Sequence, residues 1–271
     1  MKGKLHGLDL FSGIGGIGIA LSPWVRTVAY CEREPYCQAV LLSRMSTNNI
    51  DRAPIWDDVR TLHKGLLPPI DIIFGGFPCQ DISVAGAGKG LDGERSGLFY
   101  EIVRLTKEIR PSFVFLENVP AIRTRGLEKV IKTFTEIGYD CRWTCLSASS
   151  VGAPHKRKRW FLLAHANGIK LRTQSEQQQG IKDSPQLGGS LEKRLVADNN
   201  SQSKILRQAS EWGHNSFYEW IMERDLWDDA ASSFCRMDDG ISFKTYRIKA
   251  LGNAVVPLQA QTAFKILAGL R

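Results

Sequence analysis

Four glycines crowd into the segment Leu8-Asp9-Leu10-Phe11-Ser12-Gly13-Ile14-Gly15-Gly16-Ile17-Gly18, directly after a short apolar run. Glycine is needed where a chain turns tightly and a ligand comes close to the backbone. Leu8–Phe11 reads as a strand and Ile17–Leu21 as the start of an amphipathic helix, so the segment predicts a strand, a tight turn and a helix in immediate succession. The spacing of Gly13, Gly15 and Gly18 matches G-x-G-x-x-G, the fingerprint of dinucleotide-binding turns. Glu32 follows the next β-rich run, Thr27–Cys31, where a carboxylate can accept hydrogen bonds from a ribose diol. These features fit NAD and S-adenosylmethionine equally well.

The pattern then repeats. A helix is predicted over Tyr36–Met45, a strand over Ile70–Phe74, a helix over Leu98–Ile109, a strand over Phe113–Glu117 and a further apolar run over Trp160–Ala164. Strands alternating with helices at this spacing predict an α/β fold with a mostly parallel sheet. From about Ala166 to Asp239 the character changes. Thr173–Gly180 is rich in glutamine, Asp183–Gly189 carries Pro and Gly, and apolar periodicity lapses until Trp212–Trp227. Helix-like patterning returns over Ile248–Leu270, which predicts that the C-terminus packs back on the first domain. The expected organisation is a domain formed by residues 1–165 and 245–271, interrupted by a small loop-rich region at 166–244.

Composition limits the function classes. With 43% hydrophobic and 24% charged residues among 271, the chain is expected to be a soluble globular protein with ample core. No uninterrupted apolar run approaches the roughly twenty residues of a membrane span. The N-terminus enters a strand pattern without a leader, so a cytoplasmic protein with no membrane partner is expected. Thirty-six basic against 28 acidic residues give a net charge of +8, which favours a polyanionic partner. The six cysteines (31, 37, 79, 141, 145 and 235) form no C-x-x-C pair and no histidines sit at zinc-finger spacing, so no metal site is expected. Buried free thiols are the default for such cysteines.

Cys79 departs from that default. Gly75-Gly76-Phe77-Pro78-Cys79-Gln80-Asp81-Ile82-Ser83 follows the strand Ile70–Phe74, and the carboxyl ends of strands are where ligands bind in open α/β sheets. Pro78 constrains the backbone and removes a donor. The Gly/Ser-rich stretch Val84–Gly97 beyond it has the composition of an active-site loop.

Five blocks in order now carry a resemblance: Asp9–Gly16, Phe77-Pro78-Cys79-Gln80, Glu117-Asn118-Val119, the Arg157/Arg159 segment and Gly252-Asn253-Ala254-Val255-Val256. The chain resembles the DNA (cytosine-5)-methyltransferases, in particular compact phage-type members, over nearly all its length outside the 166–244 region. The resemblance implies a Rossmann-like S-adenosylmethionine-dependent methyltransferase fold with a small target-recognition insertion. It also implies double-stranded DNA as partner, a flipped-out target base and a monomeric enzyme.

The chemistry explains the residue types. Carbon 5 of cytosine is a poor nucleophile until a thiolate adds to carbon 6, which is covalent catalysis with Cys79 as nucleophile. A thiol with a free pKa near 8.5 needs electropositive surroundings to ionise. Negative charge developing on the ring is relieved by a proton or hydrogen bond at N3. Glu117, ending an apolar strand, is placed to remain protonated and supply it. Ala153-Pro154-His155-Lys156-Arg157-Lys158-Arg159-Trp160 is a basic run entering a strand, and alternation predicts that His155, Arg157 and Arg159 share one face. The family pattern there is Gln-x-Arg-x-Arg, whose arginines serve the flipped cytosine and a nearby phosphate; His155 stands in place of the glutamine.

Other positions follow from the resemblance alone. It implies that Phe11 stacks on adenine, that Gly13, Gly15, Gly16 and Pro78 line the cofactor pocket, that Glu32 holds the ribose and that Asp58 lies near the adenine amino group. Arg33 replaces an aromatic residue common after the ribose carboxylate. Gln80, Ser83 and Arg95 match DNA-contacting positions, and Asn253 one that supports the catalytic loop. The alternatives are a tRNA cytosine-5-methyltransferase, whose Cys-Phe-Thr signature is not found here, a catalytically idle DNA-binding homologue, and an NAD oxidoreductase supported only by the glycine spacing.

Overall fold

The computed structural model describes residues 3–78, 97–169, 250 and 252–270. Seven strands form one sheet: β1 (Leu5–Leu10), β2 (Val25–Cys31), β3 (Ile55–Trp56), β4 (Ile72–Gly76), β5 (Phe113–Asn118), β6 (Tyr139–Ser147) and β7 (Lys158–Ala166), in the order β3-β2-β1-β4-β5-β7-β6. The first five are mutually parallel, and β7 runs antiparallel to both β5 and β6. This is the Rossmann-like architecture of S-adenosylmethionine-dependent methyltransferases. The strand order reverses between β1 and β4, and the carboxyl ends of strands at such a switch point are the usual ligand crevice.

Side-chain alternation assigns the two faces. Leu8, Leu10, Ile73, Val114, Leu116, Trp160, Leu162 and Ala164 point to one side. There they pack on α3 (Leu98–Ile109), α4 (Ile122–Arg125) and α5 (Leu127–Glu136) through Phe99, Ile102, Ile122, Val130 and Phe134. Ile72, Phe74, Phe115, Phe161 and Leu163 point to the other. They meet α1 (Gly16–Leu21) through Ile17, Ala20 and Leu21, and α6 (Pro257–Ala268) through Ala260, Ala263, Phe264 and Leu267. The C-terminal segment therefore does pack on the sheet beside α1. α2 (Pro35–Ser46) covers Tyr30 with Leu41 and Met45. Proline in the first turn of α2 and of α6 fits positions whose N–H has no intrahelical partner.

The strands and helices predicted within the described residues form, with local corrections: the C-terminal helix occupies Pro257–Ala268 of the predicted 248–270 run, and the 212–227 run lies outside the described residues. β1 ends at Leu10 because Phe11 adopts φ +54°, which cannot continue an extended strand. β3, β6, α4 and α5 were not anticipated; β6 alternates weakly because it is an edge strand without a fully buried face. The chain divides into two compact units, residues 1–187 with 253–271, and 188–252. No helix among the described residues is long and apolar enough to cross a membrane.

Candidate active site

The glycine turn is fixed from three sides. Ser12 donates its hydroxyl to the Asp9 carbonyl at 2.8 Å and its N–H to the Cys31 carbonyl at 3.1 Å, tying the end of β1 to the end of β2. Gly13 (φ +54°) and Gly15 (φ +85°) occupy the left-handed region that side-chain-bearing residues avoid. Arg44 reaches from α2 to donate to the Ile14 carbonyl at 2.6 Å. On the far side, a Cβ on Gly16 would lie 3.2 Å from the Val255 carbonyl, so the turn is packed against the C-terminal segment.

Glu32 is part of this scaffold. Its Oε2 accepts from Gly13 N–H at 2.7 Å and its Oε1 from Glu34 N–H at 2.7 Å. Each carboxylate oxygen has a second lone pair, so the group can hold the turn and accept hydroxyl donors together. Phe11, half-buried, borders the same turn in its strained backbone conformation, as residues at ligand sites often do. Asp58 is half-buried beyond β3 and accepts from Arg60 N–H at 3.0 Å. Asp58, Glu32 and Asp9 all act on the Cys31 thiol, which burial above all pushes up to about 12. Asp9 itself is buried beneath the turn; burial, with Glu32 adding, raises its carboxyl well above the usual range.

Glu117 and Arg159 meet on the opposite side of the switch point. Phe161 on β7 stands opposite Glu117 on β5, so Arg159, two residues earlier, lies diagonally across on the same face. Its Nε is 2.7 Å from Glu117 Oε1. Burial raises the Glu117 pKa, while Arg159 and Arg157 oppose the rise. His155, Arg157 and Arg159 do not share one strand face as alternation predicts, since only Arg159 lies in the strand. β7 begins only at Lys158, because Ala148–Val151 coil into a 3₁₀ turn, Gly152 takes φ +91°, and Pro154 offers no ladder donor. Arg157 nonetheless acts on Glu117, from the loop before the strand.

Two residues without an assigned role complete this corner. A Cβ on Gly76 would lie 2.7 Å from Glu117 Oε2, so glycine at that position makes room for the carboxyl. Asn118 is buried; its Nδ2 donates to the Phe77 carbonyl at 3.2 Å and its Oδ1 accepts from Val119 N–H at 2.8 Å. The amide thus continues the β4–β5 connection one residue past the last strand pair, Gly76 and Glu117. Pro78 is described and half-buried, and Asn253 is exposed at the start of the C-terminal segment. Cys79, Gln80, Ser83, Arg95 and residues 170–244 of the loop-rich region lie outside the described residues. The described residues hold no cluster of three or more potential metal ligands.

The sheet order and the strand-edge site define the class as a Rossmann-like α/β protein. The sequence profile described as C-5 cytosine-specific DNA methylase matches residues 5–233, and the chain belongs to that family. It is 41% identical over 159 residues to the type II methyltransferase M.CviJI of Paramecium bursaria Chlorella virus IL3A, covering 58% of this chain and 42% of that protein. It is 32% identical over 172 residues to M.HhaI of Haemophilus parahaemolyticus, covering 62% and 51%. The chain thus spans about half the length of these relatives or less. A crystal structure of a Spodoptera frugiperda DNMT2 variant shares the fold with a TM-score of 0.61 over 97% of this chain and 99% of the other, at 16% identity.

Proposed function

We propose that this chain transfers a methyl group from S-adenosylmethionine to carbon 5 of cytosine in double-stranded DNA, using Cys79 as a covalent nucleophile. The observation that carries this reading is the Glu117 corner: a buried carboxyl held by Arg159, over a glycine that makes space for it, in register with the strand leading into Phe77-Pro78-Cys79. A carboxyl there can present a proton or a hydrogen bond to a pyrimidine nitrogen while a thiolate three residues past Gly76 adds to the ring.

The residues around the glycine turn fit an adenosyl cofactor. Glu32 keeps lone pairs for a ribose diol, Phe11 offers a ring, and the turn exposes no Cβ at Gly13, where open space lies within 4 Å. The cofactor's contribution at this site is an electrophilic methyl group. The Cys79 sulfur forms a bond to carbon 6, and Glu117 stabilises the resulting ring charge at N3. Carbon 5 would then take the methyl group as the methyl's bond to the cofactor's sulfonium sulfur breaks, releasing the demethylated cofactor; loss of the carbon 5 proton to solvent would restore the 5,6 double bond and expel the Cys79 thiolate. The target base must be turned out of the duplex for either carbon to be reached. Residues 166–244, including the polar Gln174, Gln177 and Asn199 and the basic Arg172 and Arg194, supply the types that read base edges and phosphates.

Transfer of labelled methyl groups from S-adenosylmethionine to duplex DNA, with RNA and single-stranded DNA in parallel, tests the proposal. Label in 5-methylcytosine of DNA is expected. Label confined to RNA, or none with any nucleic acid, would overturn it.

A further inference from the structure

Gln259 is a fully buried polar side chain on a helix face otherwise made of Ala260, Ala263, Phe264 and Leu267. Its Nε2 lies 2.9 Å from the Leu146 carbonyl and 2.9 Å from the Arg157 carbonyl. Two carbonyl oxygens around one amide atom require that atom to be the nitrogen, so the orientation is fixed by its partners. Leu146 is the register partner of Arg159 on β6. Arg157 is the last residue before β7, and its carbonyl also accepts the Ala148 N–H at 2.9 Å. The amide therefore closes the neck of the loop that carries Ala153 to Arg157. It spans more than a hundred residues of sequence to do so.

An amide buried among alanines and a phenylalanine costs stability for each of its polar atoms left without a partner, and Gln259 Oε1 accepts no hydrogen bond among the described residues. Its two donors are used on the carbonyl of Arg157 and on that of Leu146, which stands opposite Arg159, the residue in contact with Glu117. We infer that Gln259 is a positioning residue for the methyl-transfer reaction, holding the Arg157–Arg159 segment so that both guanidinium groups bear on Glu117. This rests on the proposed function. It assigns the C-terminal helix a part in the chemistry through Gln259, which lies outside the five sequence blocks. Because Val255, four residues earlier, packs against Gly16, one short segment braces the cofactor turn and the catalytic corner together.

The test uses the full chain and Gln259→Met, which preserves side-chain length and removes both donors. At saturating DNA and S-adenosylmethionine, the single-turnover rate is expected to fall about tenfold to a hundredfold, the usual effect of misplacing a catalytic group by about an ångström. The KM for S-adenosylmethionine should stay within about twofold, since no cofactor-facing group changes. The limb of the pH–rate profile belonging to Glu117 should move to higher pH, because the two arginines that hold its pKa down are loosened. Phe264→Leu, which weakens the same helix without touching either hydrogen bond, should lower the melting temperature and leave that limb in place.

An unchanged rate and a superimposable pH profile in Gln259→Met would overturn the inference. So would a Phe264→Leu variant that reproduces the kinetic defect. If Gln259→Met does not fold, amide hydrogen exchange in the unmodified protein decides. Ala148 N–H, which shares the Arg157 carbonyl, should be protected like the amides of β7, and exchange at the rate of an open loop would contradict the brace. Absence of methyl transfer by the unmodified protein would instead count against the proposed function, and the exchange measurement would still report on the brace.

Discussion

Glu117 is held between two opposing influences, burial that favours its neutral form and two guanidinium groups that favour its anion, with burial prevailing. A carboxyl in that balance can deliver a proton toward N3 and recover it within one catalytic cycle. Glu117→Gln keeps the shape and a hydrogen-bond donor but has no proton to give. Its single-turnover rate is expected to fall about a hundredfold or more, with calorimetric affinity for S-adenosylmethionine unchanged. The contrary result, weakened cofactor binding at an unchanged rate, would move Glu117 into the cofactor pocket. Asp9 poses a different question, because it is buried under the glycine turn and its Oδ2 has no hydrogen-bond partner among the described residues. Its folded pKa is raised above its unfolded value. Relative to an uncharged residue it therefore contributes most at low pH and progressively less as pH climbs above about 4, the unfolded carboxylate value. The melting temperature of Asp9→Asn minus that of the unmodified protein should increase as pH rises from 4 toward 8. A difference that is flat or shrinks with pH would contradict the burial of that carboxyl.

At the scale of elements, the site is made by strand register. Glu117 faces Arg159 because β5 and β7 are paired so that Phe161 opposes Glu117, and a one-residue slip would turn the arginine to the other face. Gly76 shows how tightly that register is used: with alanine there, the new methyl carbon would sit 2.7 Å from Glu117 Oε2. Gly76→Ala is expected to displace the carboxyl and lower the methyl-transfer rate at least about tenfold, while costing about 1–3 kcal/mol of stability as overpacking does. Rate and denaturant midpoint measured on the same variant separate the two effects. Much of this was legible in sequence. The apolar runs located β1, β2, β4, β5 and β7, and the glycine spacing located the turn. The β6–β7 loop was not legible, because a basic run entering a strand looks the same whether the strand begins at His155 or at Lys158. Asn118 and Gln259 were missed as braces since their partners are backbone carbonyls brought near only by folding.

For the whole molecule, the net charge of +8 is of the sign that the proposed DNA partner requires. The central claim is that Cys79 attacks carbon 6 of a cytosine in DNA. Carbon 5 of 5-fluorocytosine at the target position in duplex DNA has no proton to lose, so turnover should halt after methyl transfer with the protein still bonded to the base. Incubation of the protein with this DNA and S-adenosylmethionine, followed by denaturing electrophoresis and peptide mass spectrometry, reads that bond directly. The account predicts a denaturation-resistant adduct that maps to Cys79, needs the cofactor and is abolished in Cys79→Ser. Normal turnover on unmodified cytosine with no adduct on the fluorinated DNA, or an adduct that persists in Cys79→Ser, would contradict it.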